Sequence, residues 1–234
     1  MNENFKGFDP NGFMLLEMNK FNDSKDFYET VKDDIKKMII TPMRQLALDL
    51  SDELFAVDEK MVLIPTKMVS RIRRDTRYSK NKEMYRSNVW CMFMRNKHEW
   101  RFMPCMWVEV FPDRYSYGVG LFHAQPSDLE VFRRILSDNQ DEFRYALRQT
   151  DVAEALPFVD TFKKDKPGAE NIGEDLKPYY NSRYFLFSYT GTDMKKLFNG
   201  SIEEELIYAI RAFTPMYKFL LKVTDEIYEK GEQV

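Results

Sequence analysis

Residues 115–122 read Tyr-Ser-Tyr-Gly-Val-Gly-Leu-Phe, and their alternation decides the fold. Tyr115, Tyr117, Val119 and Leu121 point one way, while Ser116, Gly118 and Gly120 point the other. A period of two is the mark of a strand with two unlike faces. The alternate glycines leave one face nearly bare, so a helix or a ligand can approach the backbone there. Upstream, the run from Met106 to Phe111 stops at Pro112-Asp113, and Val89–Met94 is apolar on both faces, as in a central strand. Asn96-Lys97-His98-Glu99 marks the loop between those two runs. Short connections predict an antiparallel meander. Tyr184–Tyr189 supplies a further strand, and Met68–Arg73 another. In the latter, Met68, Ser70 and Ile72 alternate with Val69, Arg71 and Arg73, so Arg71 and Arg73 share a face that Asp75 continues.

Helices flank these strands. Asp9-Pro10 reads as an N-cap with proline at the first helical position, opening a short helix through Met18. Asn22-Asp23-Ser24 is a second start, after which Phe27, Val31, Ile35, Met38 and Ile39 fall at helical spacing. Pro42 should kink or split that helix, with Met43, Leu46, Ala47 and Leu50 continuing its apolar side. Ser127 and Glu130 form a capping box behind Pro126, and a helix through Phe143, Ala146 and Leu147 follows. A second capping box, Ser201 with Glu204, opens a last helix reaching about Lys230, which Pro215 should bend. Residues 151–180 are polar and irregular, with Pro157, Pro167-Gly168 and Pro178, and read as a surface excursion or a lid. The expected fold class is α+β: a single domain over 1–234, with a mainly antiparallel sheet of about five strands packed against long N- and C-terminal helices.

Composition narrows the function classes. A 234-residue chain that is 44% hydrophobic and 31% charged carries an ample core and a hydrated surface. No apolar run approaches the ~20 residues of a membrane helix, and the N-terminal MNENFKGFDPNG does not resemble a signal peptide. Cys91 and Cys105 are too few for a disulfide framework and read as buried thiols in a reducing, cytoplasmic setting. An isoelectric point near 5.6 argues against wholesale nucleic-acid binding. The two histidines, His98 and His123, show no metal-ligand spacing, and no Gly-Lys-Ser/Thr phosphate loop or Gly-x-Ser-x-Gly elbow occurs. The Gly118-x-Gly120 pair lacks the third glycine of a dinucleotide fingerprint. These patterns assign no cofactor, no metal and no catalytic residue, and leave open whether the chain is an enzyme.

One stretch carries a positive signal. Between Arg71 and Arg86 lie seven basic residues and two acidic ones, Asp75 and Glu83. The segment is net +5 in a chain of net −3, so the remainder carries −8. Like charges so clustered need compensation by acidic neighbours, solvent or an anionic ligand, and arginine's planar fork suits a carboxylate or phosphate. Arg73, Arg77, Lys80, Lys82 and Arg86 are the candidate anion ligands, Asp75 their counter-ion, and Tyr78 and Tyr85 the candidate stacking or hydrogen-bonding groups.

The same stretch carries a resemblance. Arg74-Asp-Thr-Arg-Tyr-Ser-Lys-Asn-Lys82 followed by Tyr85-Arg86 resembles the signature of the DUF2461 family, with Tyr78 for Phe, Asn81 for Asp, Met84 for Pro and Arg86 for Lys. Phe13–Asn19, Phe27-Tyr28-Glu29, Tyr117–Leu121, Leu176-Lys177 and the helix from Tyr208 to Leu220 are similar to it too. The resemblance covers nearly the whole chain, implies an α+β domain and brings no established activity. Three functional expectations follow. The protein binds a small anionic or phosphorylated ligand; or it contacts an acidic partner or a nucleic-acid backbone; or the stretch is structural and satisfies helix-end acids such as Asp49, Asp52 and Glu53.

Overall fold

The computed structural model describes residues 4–96, 102–122 and 124–231, without the side chains of 229–231. The first helix, α1 (Pro10–Asn22), begins where the pattern places it: the Asp9 carboxylate accepts the Asn11 N–H at 2.9 Å, and Pro10 needs no partner for a missing N–H. It runs one turn beyond Met18 and ends at Asp23 in the left-handed region, φ 44°. Ser24 precedes α2 (Lys25–Ile35). Pro42 then splits the helical run as expected. The chain widens into a π-helical turn, Lys36–Ile40, where the Thr41 N–H reaches back to the Lys36 carbonyl, and resumes as α3 (Thr41–Asp49) with Pro42 in its first turn. A short α4 (Ser51–Val57) and a single turn, α5 (Pro65–Met68), follow.

The sheet comes next: β1 (Val89–Phe93), β2 (Pro104–Val110) and β3 (Tyr115–Leu121) form the expected antiparallel meander. Helices α6 (Pro126–Asp138) and α7 (Gln140–Val152) lead to β4 (Leu156–Thr161), then α8 (Lys177–Tyr180), β5 (Ser182–Gly191), α9 (Lys195–Asn199) and α10 (Ile202–Gly231). Strand order is β1-β2-β3-β5-β4, antiparallel throughout, which is the expected α+β class. The α10 helix continues unbroken through Pro215.

Four details differ from the reading of the sequence. The run Met68–Arg73 is not a strand, because Pro65 nucleates α5 and the chain then touches its neighbours only through isolated bridges at Val69 and Arg73. The excursion 151–180 instead contains a strand, β4, whose pairing with β5 places Pro157 at the sheet margin, where proline is tolerated. Val89–Phe93 lies at the margin of the strand order, not at its centre; its apolar outward positions face a groove. The α6 box uses Asp128, whose carboxylate accepts the Gln125 N–H at 3.1 Å, two residues earlier than Ser127 with Glu130.

The two faces of β3 have opposite covers. Tyr117 packs against Phe213 of α10, ring centroids 6.2 Å apart, over a core in which Phe132, Phe143, Phe185 and Phe219 are fully buried. Burying such a ring stabilises by roughly 2–3 kcal/mol each. On the bare face side chains of the neighbouring strands fill the space over the glycines: a Cβ at Gly118 would come within 2.5 Å of the Trp107 indole, and one at Gly120 within 2.9 Å of Leu186. The glycines let side chains of the neighbouring strands lie flat across the backbone. Cys91 and Cys105 are both buried and form no disulfide, and burial pushes the Cys105 thiol up, which disfavours its thiolate.

Candidate anion-binding groove

The segment before the basic stretch lies along the outer edge of β1. The Val62 N–H donates to the Met94 carbonyl at 3.0 Å, the Ser70 N–H to Trp90 O at 2.8 Å, and the Trp90 N–H to Ser70 Oγ at 3.1 Å. The chain then leaves that edge and pairs with itself. The Arg74 N–H donates to Met84 O at 2.8 Å, and the Arg86 N–H to Ile72 O at 3.1 Å. The result is an arm, residues 71–86, fastened at its base. Tyr85 is buried and stacks on Tyr28 at 4.9 Å, while the Asp23 carboxylate accepts the N–H groups of Met84 and Tyr85 at 2.7 and 3.1 Å. The left-handed end of α1 therefore sets the position of the arm.

Between arm and sheet lies a groove of about 940 Å³. Trp90, Met92 and Met94 line it from β1 and its end; Arg71, Arg73, Arg74, Arg77 and Arg86 line it from the arm, with Lys67 and Arg95 at the margins. Asp75 is the single carboxylate among the described lining residues.

Those arginines differ in what they hold. Arg77 grips Asp75 by both faces of its fork, Nη2 to Oδ2 at 2.6 Å and Nε to Oδ1 at 3.0 Å, and its backbone N–H adds a third bond at 3.1 Å. The Arg77 side-chain bonds, then its N–H, hold the Asp75 carboxyl down at about 2. Asp75 is thus the local counter-ion that its spacing suggested. Arg74 reaches Glu83 at 3.4 Å. Arg86 lies over the Trp90 ring at 4.6 Å and donates from Nη1 to Arg71 O at 3.1 Å; burial, then the Arg74 charge, lower its pKa. Arg95 is tied into the core by Asp58 at 2.7 Å and Asp225 at 2.6 Å. Arg71 and Arg73 are exposed, and neither has an ion-pair partner within 4 Å among the described residues.

The structure brings Arg73, Asp75, Arg77 and Arg86 together at the groove and leaves four predicted residues outside it. Tyr78 is 95% exposed near the arm tip, 5.9 Å from the Arg77 guanidinium. Lys80 is exposed, and the Lys82 Nζ donates to Thr76 O at 3.0 Å, bracing the tip. Tyr85 is a core residue. The proposed structural partners lie elsewhere too: Glu53 pairs with Arg211 at 2.8 Å, and Asp49 accepts the Phe5 N–H at 2.6 Å. Sequence reasoning passed over Trp90, because a run apolar on both faces does not reveal which face meets a groove. His98 and His123 lie outside the described residues. No group of three or more described His, Cys, Asp or Glu residues is placed to hold a metal, and no described helix is long and apolar enough to cross a membrane.

Comparison with known proteins adds a family and no reaction. The family model described as "Conserved hypothetical protein (DUF2461)" matches residues 11–219. No curated protein matches the chain.

Proposed function

The chain belongs to the DUF2461 family, and from that premise we propose that it is a cytoplasmic protein that binds a small anionic or phosphorylated ligand in the groove beside β1. The carrying observation is that Arg71 and Arg73 face a groove whose one described carboxylate is already gripped by Arg77. Two guanidinium groups with no ion-pair partner within 4 Å among the described residues, close to three further arginines, form a field that favours an anion. Their forks suit bidentate contact with phosphate or carboxylate. Arg86 and Arg74 complete the basic wall, and Asp75 fixes Arg77 in place.

A thermal-shift screen of mononucleotides, sugar phosphates, polyphosphate and dicarboxylates tests this reading. A ligand at about 100 times its Kd stabilises the fold by roughly 2.7 kcal/mol, a readily visible rise in Tm. The rise should vanish in the Arg71→Ala/Arg73→Ala double variant while its unliganded Tm stays unchanged. Unfolding of that variant, or no shift with any anion, would end the proposal.

A further inference from the structure

We infer that the anion held in this groove carries a planar aromatic ring, as a nucleotide does, and that Trp90 with Arg86 forms the surface on which the ring stacks. The inference rests on the anion reading and names its ligand class. Three observations carry it. The groove, about 940 Å³, lies near the top of the ~300–1,000 Å³ range of small-molecule sites. Inorganic phosphate or a small dicarboxylate would leave most of it to water. Its floor is apolar along one line, because Trp90, Met92 and Met94 alternate on a single side of β1 and its end. Finally, the Arg86 guanidinium is not loose: it lies 4.6 Å over the indole and is fixed at Nη1 by Arg71 O, so indole and guanidinium form one pinned stack at the groove wall.

The charges and the rings are separated in a useful way. Arg71 and Arg73 come from the arm, while Trp90 comes from the sheet. A phosphate ester of a nucleoside spans both: its phosphates meet the free guanidinium groups, and its base lies against the Trp90–Arg86 stack. Stacking of a base on an aromatic or guanidinium plane tolerates all bases, so the site selects the nucleotide class before it selects a base.

Isothermal titration of the full chain with AMP, ATP, ribose 5-phosphate and tripolyphosphate tests this. Nucleotides should bind about tenfold tighter than ribose 5-phosphate. Trp90→Leu should erase that ratio and leave the ribose 5-phosphate affinity unchanged. Arg86→Lys, which keeps the charge and removes the plane, should reduce the ratio in the same direction and serves if Trp90→Leu fails to fold. Equal affinity for nucleotides, ribose 5-phosphate and tripolyphosphate would overturn the ring and leave the anion reading standing. Binding of none of the four would remove both. Far tighter binding of a short oligonucleotide than of AMP, lost steeply with added salt, would replace the nucleotide by a nucleic-acid backbone.

Discussion

Arg95 and Arg73 line the same groove and are opposites. Arg95 turns inward: its fork holds Asp58, which is buried, and Asp225, and the Tyr217 hydroxyl donates to Asp58 Oδ2 at 2.8 Å. Arg73 turns outward, with no carboxylate within 4 Å among the described residues. The same side chain, a short distance along one wall, is structural where a buried acid awaits it and available where none does. Partner burial, more than exposure of the arginine itself, separates a fold residue from a candidate site residue here.

The largest effect should come from breaking the inward pair. Arg95→Ala strands Asp58 in the core and should cost about 3 kcal/mol by urea denaturation. A loss below ~1 kcal/mol would mean that the pair is replaceable by water. Acid sharpens the same point. Burial alone would raise the Asp58 pKa, but the bonds from Arg95, Tyr217 and the Lys60 N–H outweigh it and hold the carboxyl low. A carboxylate depressed in the folded state adds stability above its unfolded pKa, about 3.9, and loses that share as pH falls through the folded value. Stability should therefore hold down to about pH 4 and drop below it, whereas Arg95→Ala, which removes the main bonds holding the carboxyl low, should shrink or reverse that drop. Tyr217→Phe removes one donor to a charged acceptor and should cost roughly 1.5–3 kcal/mol. At the small end, Arg73→Ala should change stability by no more than about 0.5 kcal/mol while weakening anion binding in the screen. A large loss of stability in Arg73→Ala would erase the contrast.

Much of this fold is legible in the sequence. Proline, cap and apolar spacing placed α1, α2 and α10, because those signals act within a few residues. The β1–β3 meander was legible because each strand is an apolar or alternating run and Pro112-Asp113 marks the short link from β2 to β3. Legibility failed where a distant partner decides. Residues 156–161 contain a proline and expose Leu156 and Phe158, so nothing local marks a strand; pairing with β5 makes it one. Met68–Arg73 has a strand's alternation but lacks a partner to complete a ladder. At the site, composition revealed the basic arm. It did not separate Arg73 from Arg77, since the Asp75 grip is a matter of geometry, and it did not reveal that Tyr85 turns inward to Tyr28. Arg95 was invisible because its acids stand 37 and 130 positions away.

Those separations also set a timetable. A chain emerges from the ribosome N-terminus first, so Asp58 appears long before Tyr217, one of the two side chains that hold it, and before Asp225, which holds Arg95. Until α10 is made, that carboxylate has only Arg95 and the Lys60 N–H, and Phe143 lacks the Phe219 ring that closes over it at 4.9 Å. The unfinished chain is thus a partly assembled layer with an open apolar side, the kind of surface that chaperones and proteases sort. Arrival of the final helix is the step that converts nascent chain into domain, and a product cut short before Tyr217 announces its own incompleteness.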